Sequence, residues 1–116
     1  MNLLIKLSLL LNVAVLLPVC TSLAANAGWT LSAYGPAAPA RGILLSIYLA
    51  ILVVSLGLLF KPVPAMVAAL LIVQIVYKVT TPFTVGTLSN PVVLSNLAIA
   101  AFHVVTVRSI FAHGAA

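Results

Sequence analysis

Four long apolar runs alternate with short polar segments along the chain. The runs cover residues 3–25, 42–60, 64–80 and 91–112. Each holds close to the ~20 apolar residues that an α-helix needs to cross a bilayer. This pattern predicts an all-α, polytopic membrane protein. Its four transmembrane helices are expected to form one bundle with short loops, which makes up a single domain.

The breaks between the runs carry their own signals. Residues 26–41 contain glycine, proline and serine, which indicates an irregular loop, with Trp29 at the membrane–water boundary. The turn Lys61-Pro62-Val63-Pro64 is so short that the helices on either side must form an antiparallel hairpin. Asn90-Pro91 predicts a helix N-cap followed by proline at the first helical position. Pro18 is expected to kink the first helix.

The charge balance changes the picture more than the length does. The 116 residues are 65% hydrophobic and 4% charged, with five Lys or Arg and no Asp or Glu. Soluble domains carry roughly 25% charged residues, so this composition favours a bilayer. The cations are therefore expected to contact lipid headgroups or acidic surfaces of a partner. The residues assigned to lipid or partner contact, together with Trp29, are Arg41, Lys61, Lys78 and Arg108.

The basic residues also suggest an orientation. Lys6, Lys61 and Arg108 fall on one side of the predicted bundle, and Arg41 and Lys78 fall on the other. Because basic residues favour the cytoplasmic side, both termini are expected in the cytoplasm, with the bundle in a bacterial inner membrane.

Three predicted helices carry a strongly polar residue near mid-depth, namely Asn12, Gln74 and His103. Polar groups are costly against hydrocarbon, so these side chains should face the bundle interior or a partner. We expect them to form interhelical hydrogen bonds, each worth on the order of 1 kcal/mol. The alternative is a small polar cavity that serves a substrate or cofactor.

The second predicted helix has a face of small side chains at steps of four or seven residues. Its members are Gly42, Ser46, Ala50 and Gly57. Small residues at this spacing let two backbones approach closely in lipid. We expect this face to pack against another helix, either of the same bundle or of another subunit.

The candidate chemistry is sparse. Without carboxylate side chains the chain has no paired acids for catalysis and no oxygen cage for Ca²⁺ or Mg²⁺, so neither an enzyme nor a metal site is expected. His103 is the candidate ligand for a haem or pigment, because a buried imidazole is a good axial ligand. However, Ile99 lies four residues before it, where a flat macrocycle needs a small side chain.

Three functions remain after these exclusions. The preferred one is a small accessory subunit of a larger membrane assembly, in respiration, photosynthesis, membrane-bound oxidation or transport. The alternative is a homo-oligomeric channel or transporter for a small neutral or anionic solute, and the third is a haem- or pigment-binding subunit. The expected partners are membrane lipids and other membrane subunits or further copies of the chain, without nucleic acid and without a required cofactor.

Overall fold

The computed structural model describes residues 3–113, and these form five α-helices. The helices are α1 (Leu3–Ala24), α2 (Gly28–Tyr34), α3 (Pro39–Phe60), α4 (Pro64–Val85) and α5 (Pro91–Ala112). All but α2 are 22 residues long and apolar enough to cross a membrane. The predicted all-α fold with four membrane-spanning helices is confirmed.

Contacts divide the chain into two compact units, and α1 contributes to both. One unit contains residues 3–8 and 61–113, and the other contains Leu9–Phe60. In the first unit, α4 packs against α5. Both helices bury residues three or four apart, which are Val67, Leu71 and Gln74 on α4 and Asn96, Ala100 and His103 on α5. This spacing produces one continuous buried face on each helix.

The ends of the α4–α5 hairpin follow ordinary capping rules. Gly86 adopts the left-handed conformation, with φ of 85°, and its N–H donates to the carbonyl of Pro82 at 3.1 Å. Asn90 is the N-cap of α5 and its Oδ1 accepts from the N–H of Val92 at 2.8 Å, with Pro91 at the first helical position. The N-cap prediction from the Asn90-Pro91 pair is confirmed.

The prediction that the third long helix ends at residue 80 is wrong, because α4 continues to Val85 with Pro82 inside it. A proline removes the hydrogen bond to the carbonyl four residues earlier, which here is that of Lys78. The hydroxyl of Thr81 donates to this carbonyl at 2.7 Å. A neighbouring hydroxyl is one of the ways in which membrane helices accommodate proline.

The prediction that residues 26–41 form an irregular loop is also wrong in part. This segment contains the short helix α2, and α3 begins at Pro39 instead of residue 42. Proline suits the first turn of a helix because its missing N–H would lack an intrahelical partner there anyway. Pro18 lies inside α1, which is one helix from Leu3 to Ala24.

Candidate functional site

The candidate site is the polar part of the α4–α5 hairpin, and it begins with Lys78. The Lys78 side chain is 5% exposed, and its Nζ donates to Oδ1 of Asn96 on α5 at 3.1 Å. The same Nζ lies 4.9 Å from the ring centroid of Tyr77. Lys78 precedes the end of α4 by seven residues, a rise of about 10 Å along the helix. It therefore lies well inside a membrane-spanning segment.

No side chain of the protein can offer Lys78 a negative charge, because the sequence has no Asp or Glu. A buried ion costs several kcal/mol in desolvation, and an opposite charge or several hydrogen bonds must offset it. Asn96 supplies one neutral oxygen, and an ammonium has further N–H donors to satisfy. Lys78 is thus a buried cation that no acidic side chain of the chain can neutralise.

Gln74 lies one helical turn before Lys78 on the same face of α4. Its side chain is 1% exposed, and its Nε2 donates to the carbonyl of Leu70 at 3.5 Å. This distance is at the long limit for an N–H···O hydrogen bond. Gln74 and Lys78 together place a neutral amide and a cation along one buried stripe.

A second cluster of polar side chains in this unit links the start of α1 to α5. A hydrogen bond of 2.6 Å joins Oγ of Ser8 to Oγ1 of Thr106, and one of 3.1 Å joins Nδ1 of His103 to the same Ser8 oxygen. All three side chains are fully buried. The Ser8 hydroxyl is the shared member, so the three groups form one short network.

Asn12 belongs to the other unit and has a partner there. Its Nδ2 donates to Oγ of Ser55 on α3 at 3.1 Å, and both side chains are buried. Asn12, Gln74 and His103 are all buried; Asn12 lies in the Leu9–Phe60 unit, and the other two lie in the α4–α5 unit. Whether His103 binds a haem or pigment stays a prediction.

The four cations assigned to lipid or partner contact fall into two groups. Lys61 and Arg108 are exposed, whereas Lys78 and Arg41 are buried. Arg41 donates from Nη2 to Oδ1 of Asn26 at 2.6 Å, and from Nη1 to the carbonyl of Gly35 at 3.1 Å. The long side chain of Arg41 thus holds the segment around α2 against the start of α3. Trp29, on α2, is 43% exposed.

The small-residue face of α3 is exposed along its length. Gly42, Ser46, Ala50 and Gly57 are all exposed, and a Cβ added at either glycine would meet no atom within 4 Å. The buried face of α3 is a different one, which includes Tyr48, Leu52 and Ser55. Within the described residues, the small side chains do not mediate close helix packing.

Several residues of the site carried only weak sequence signals. Ser8 shares a face with Asn12, and Asn96 precedes His103 by seven residues, which places each pair on one side of its helix. Thr106 is separated from Ser8 by 98 positions, so the sequence alone could not pair them. Among residues 3–113, no three His, Cys, Asp or Glu side chains are grouped to hold a metal ion.

In comparisons with protein-family models, with curated proteins and with solved structures, nothing matches this chain.

Proposed function

We propose that this protein is a channel or transporter that assembles from several copies and binds a small anionic solute at Lys78. The observation that supports this function is the buried Lys78 ammonium, which donates a hydrogen bond to the neutral Oδ1 of Asn96 in a chain without Asp or Glu. Ionisable residues inside membrane helices are rare and typically mark ion or substrate paths.

The degree of burial favours a small anion over the carboxylate of a neighbouring protein. Lys78 is 5% exposed and lies about 10 Å before the end of α4, so the rigid helix of another subunit could not bring a carboxylate to it. An ion such as chloride needs only a narrow opening. Polar groups that would accompany such an ion are present on both helices, since Gln74 and His103 are buried in the same unit.

The direct test is chloride flux through liposomes that contain the purified chain. Lys78→Met keeps the length of the side chain and removes its charge, so we expect chloride efflux to fall to the level of empty liposomes. Arg108→Met is the matched control, because Arg108 is an exposed cation of the same unit. Equal efflux from the Lys78→Met variant and the unmodified protein would contradict the proposal.

A second candidate, the accessory subunit of a larger membrane assembly, is supported by the exposed α3 face of Gly42, Ser46, Ala50 and Gly57. Small side chains at this spacing suit close helix packing, and the chain buries the other side of α3. Purification from native membranes in mild detergent distinguishes the candidates. A stoichiometric partner that Gly57→Leu removes would favour the subunit, whereas recovery of the chain alone would favour the channel.

We place the protein in a bacterial inner membrane with both termini in the cytoplasm. Support comes from the three basic residues on that side, Lys6, Lys61 and Arg108, which are all exposed. A C-terminal fusion to a reporter that is active only in the cytoplasm should be active, and an inactive fusion with a stable protein would contradict this orientation.

A further inference from the structure

An open apolar groove lies between α1 and α3 in the Leu9–Phe60 unit. It has a volume of about 570 Å³. From α1 the groove is lined by Leu17, Cys20, Thr21 and Ala24, with Ala25 just after the helix, and from α3 by Leu45, Leu49 and Leu52. The proposed anion site uses none of these residues.

A polar and a positively charged residue adjoin this lining along the chain. Asn26 follows the lining residue Ala25, and Arg41 precedes Leu45 on α3 by four residues, a rise of about 6 Å. The two side chains meet, because Nη2 of Arg41 donates to Oδ1 of Asn26 at 2.6 Å. The guanidinium of Arg41, which is 8% exposed, is thus bonded to the residue that directly follows the groove lining, and it lies in the first turn of a membrane-spanning helix.

The guanidinium of Arg41 has hydrogen-bonding capacity beyond its contacts within the unit. Its three hydrogen bonds go to neutral oxygens of Asn26, Thr30 and Gly35, and a guanidinium has further N–H donors. No Asp or Glu in the chain can neutralise the positive charge. Phosphate oxygens are preferred partners of arginine because its N–H groups match their geometry.

We infer that this groove is a binding site for an anionic phospholipid, with one acyl chain between α1 and α3 and the headgroup phosphate beside Arg41. The apolar lining accounts for the acyl chain, and the guanidinium of Arg41 accounts for the headgroup. Trp29, which is 43% exposed on the adjoining helix α2, is a residue type that favours the headgroup region. The site binds lipid whether or not Lys78 binds an anion.

Native mass spectrometry tests the inference on the full chain. The protein is extracted in mild detergent from vesicles of equal parts phosphatidylglycerol and phosphatidylcholine, and the retained lipids are counted. We expect one phosphatidylglycerol per chain. Loss of one charge-assisted contact in Arg41→Gln should lower its retention about tenfold, with phosphatidylcholine unaffected. Arg108→Gln, which removes an exposed arginine outside the groove, should retain phosphatidylglycerol like the unmodified protein.

A second variant covers the case in which Arg41→Gln fails to fold. Ala24→Phe fills the groove and leaves Arg41 in place, so it should lose the bound lipid while its helical circular dichroism is unchanged. Equal retention of the two lipids by the unmodified protein would overturn the inference, as would unchanged retention in Ala24→Phe. A lipid-free dimer that Ala24→Phe converts to a monomer would also overturn it, because the occupant would then be a second copy.

Discussion

Asn96→Asp tests the charge of Lys78 most directly, because it places a carboxylate where a neutral oxygen now accepts from Nζ at 3.1 Å. At that distance and an effective dielectric constant of ~20, the two charges attract by about 5 kcal/mol. Burying the new carboxylate costs several kcal/mol. The two quantities nearly cancel, so we expect the free energy of unfolding to change by no more than about 2 kcal/mol.

The effect on anion binding should be much larger than the effect on stability. The new carboxylate pairs with the Lys78 ammonium. An external anion is then no longer attracted by a net positive charge and is repelled by the carboxylate. Even a quarter of the 5 kcal/mol attraction corresponds to about a tenfold loss of affinity. We therefore expect the apparent chloride affinity of Asn96→Asp to fall at least about tenfold.

Thermal unfolding in detergent measures both quantities. Trp29, the single tryptophan, reports unfolding, and chloride is exchanged for gluconate at constant ionic strength so that screening does not change. Bound chloride raises the stability of the unmodified protein in proportion to the logarithm of its concentration above the dissociation constant. This chloride-dependent rise should disappear in Asn96→Asp.

Asn96→Ala is the matched control, because it removes the same acceptor without adding a charge. It should lower stability by about 1.5–3 kcal/mol, the typical value of a hydrogen bond to a charged group, and should keep the chloride-dependent rise. An Asn96→Asp variant that responds to chloride like the unmodified protein would contradict this prediction, as would an Asn96→Ala variant that loses the response to the same extent.

Three further predictions concern the stability of the α4–α5 unit. A double-mutant cycle of Ser8→Ala and Thr106→Val should give a coupling energy of about 0.6 kcal/mol and at most about 1.7 kcal/mol, because the two hydroxyls lie 2.6 Å apart. Unfolding in mixed micelles measures this coupling energy, and a value of zero would argue against the hydrogen bond. Asn90→Ala should cost about 1 kcal/mol by the same assay, because it removes the N-cap bond to Val92, and Asn90→Ser should restore most of it. Gly86→Ala should lower the free energy of unfolding by about 1–2 kcal/mol, because Gly86 has a φ of 85°. Gly57→Ala, at a helical position with open space around it, should not destabilise the protein. Equal effects at the two glycines would contradict the role of the positive φ.

Local sequence patterns account for much of the candidate site. A polar residue inside an apolar run must find a partner or a cavity, and this rule identified Gln74 and His103 as buried residues. The same rule did not identify their neighbours. Ser8 is 95 positions from His103, and serine and threonine occur in membrane helices too commonly to mark a site. Only the packing of α1 on α5 brings these hydroxyls together.

The burial of the two cations shows why helix boundaries matter for function. Ending the third long helix at residue 80 places Lys78 in its last turn, at the membrane surface, and beginning the second at residue 42 places Arg41 outside the helix. The structure extends α4 to Val85 and begins α3 at Pro39. Both cations then lie within membrane-spanning segments and are buried. The extension of α4 includes Pro82, and the Thr81 hydroxyl satisfies the carbonyl that this proline leaves without a donor.

The amino-acid sequence alone determines that four helices span a membrane, because length and hydropathy are local properties that a bilayer selects directly. It also determines that no acidic side chain of the chain can pair with its cations, because no Asp or Glu is encoded. Tertiary structure alone decides which cations are buried, since burial depends on contacts between residues distant in sequence. Lys78 and Arg108 are both basic residues on long apolar helices, yet of the two only Lys78 is buried.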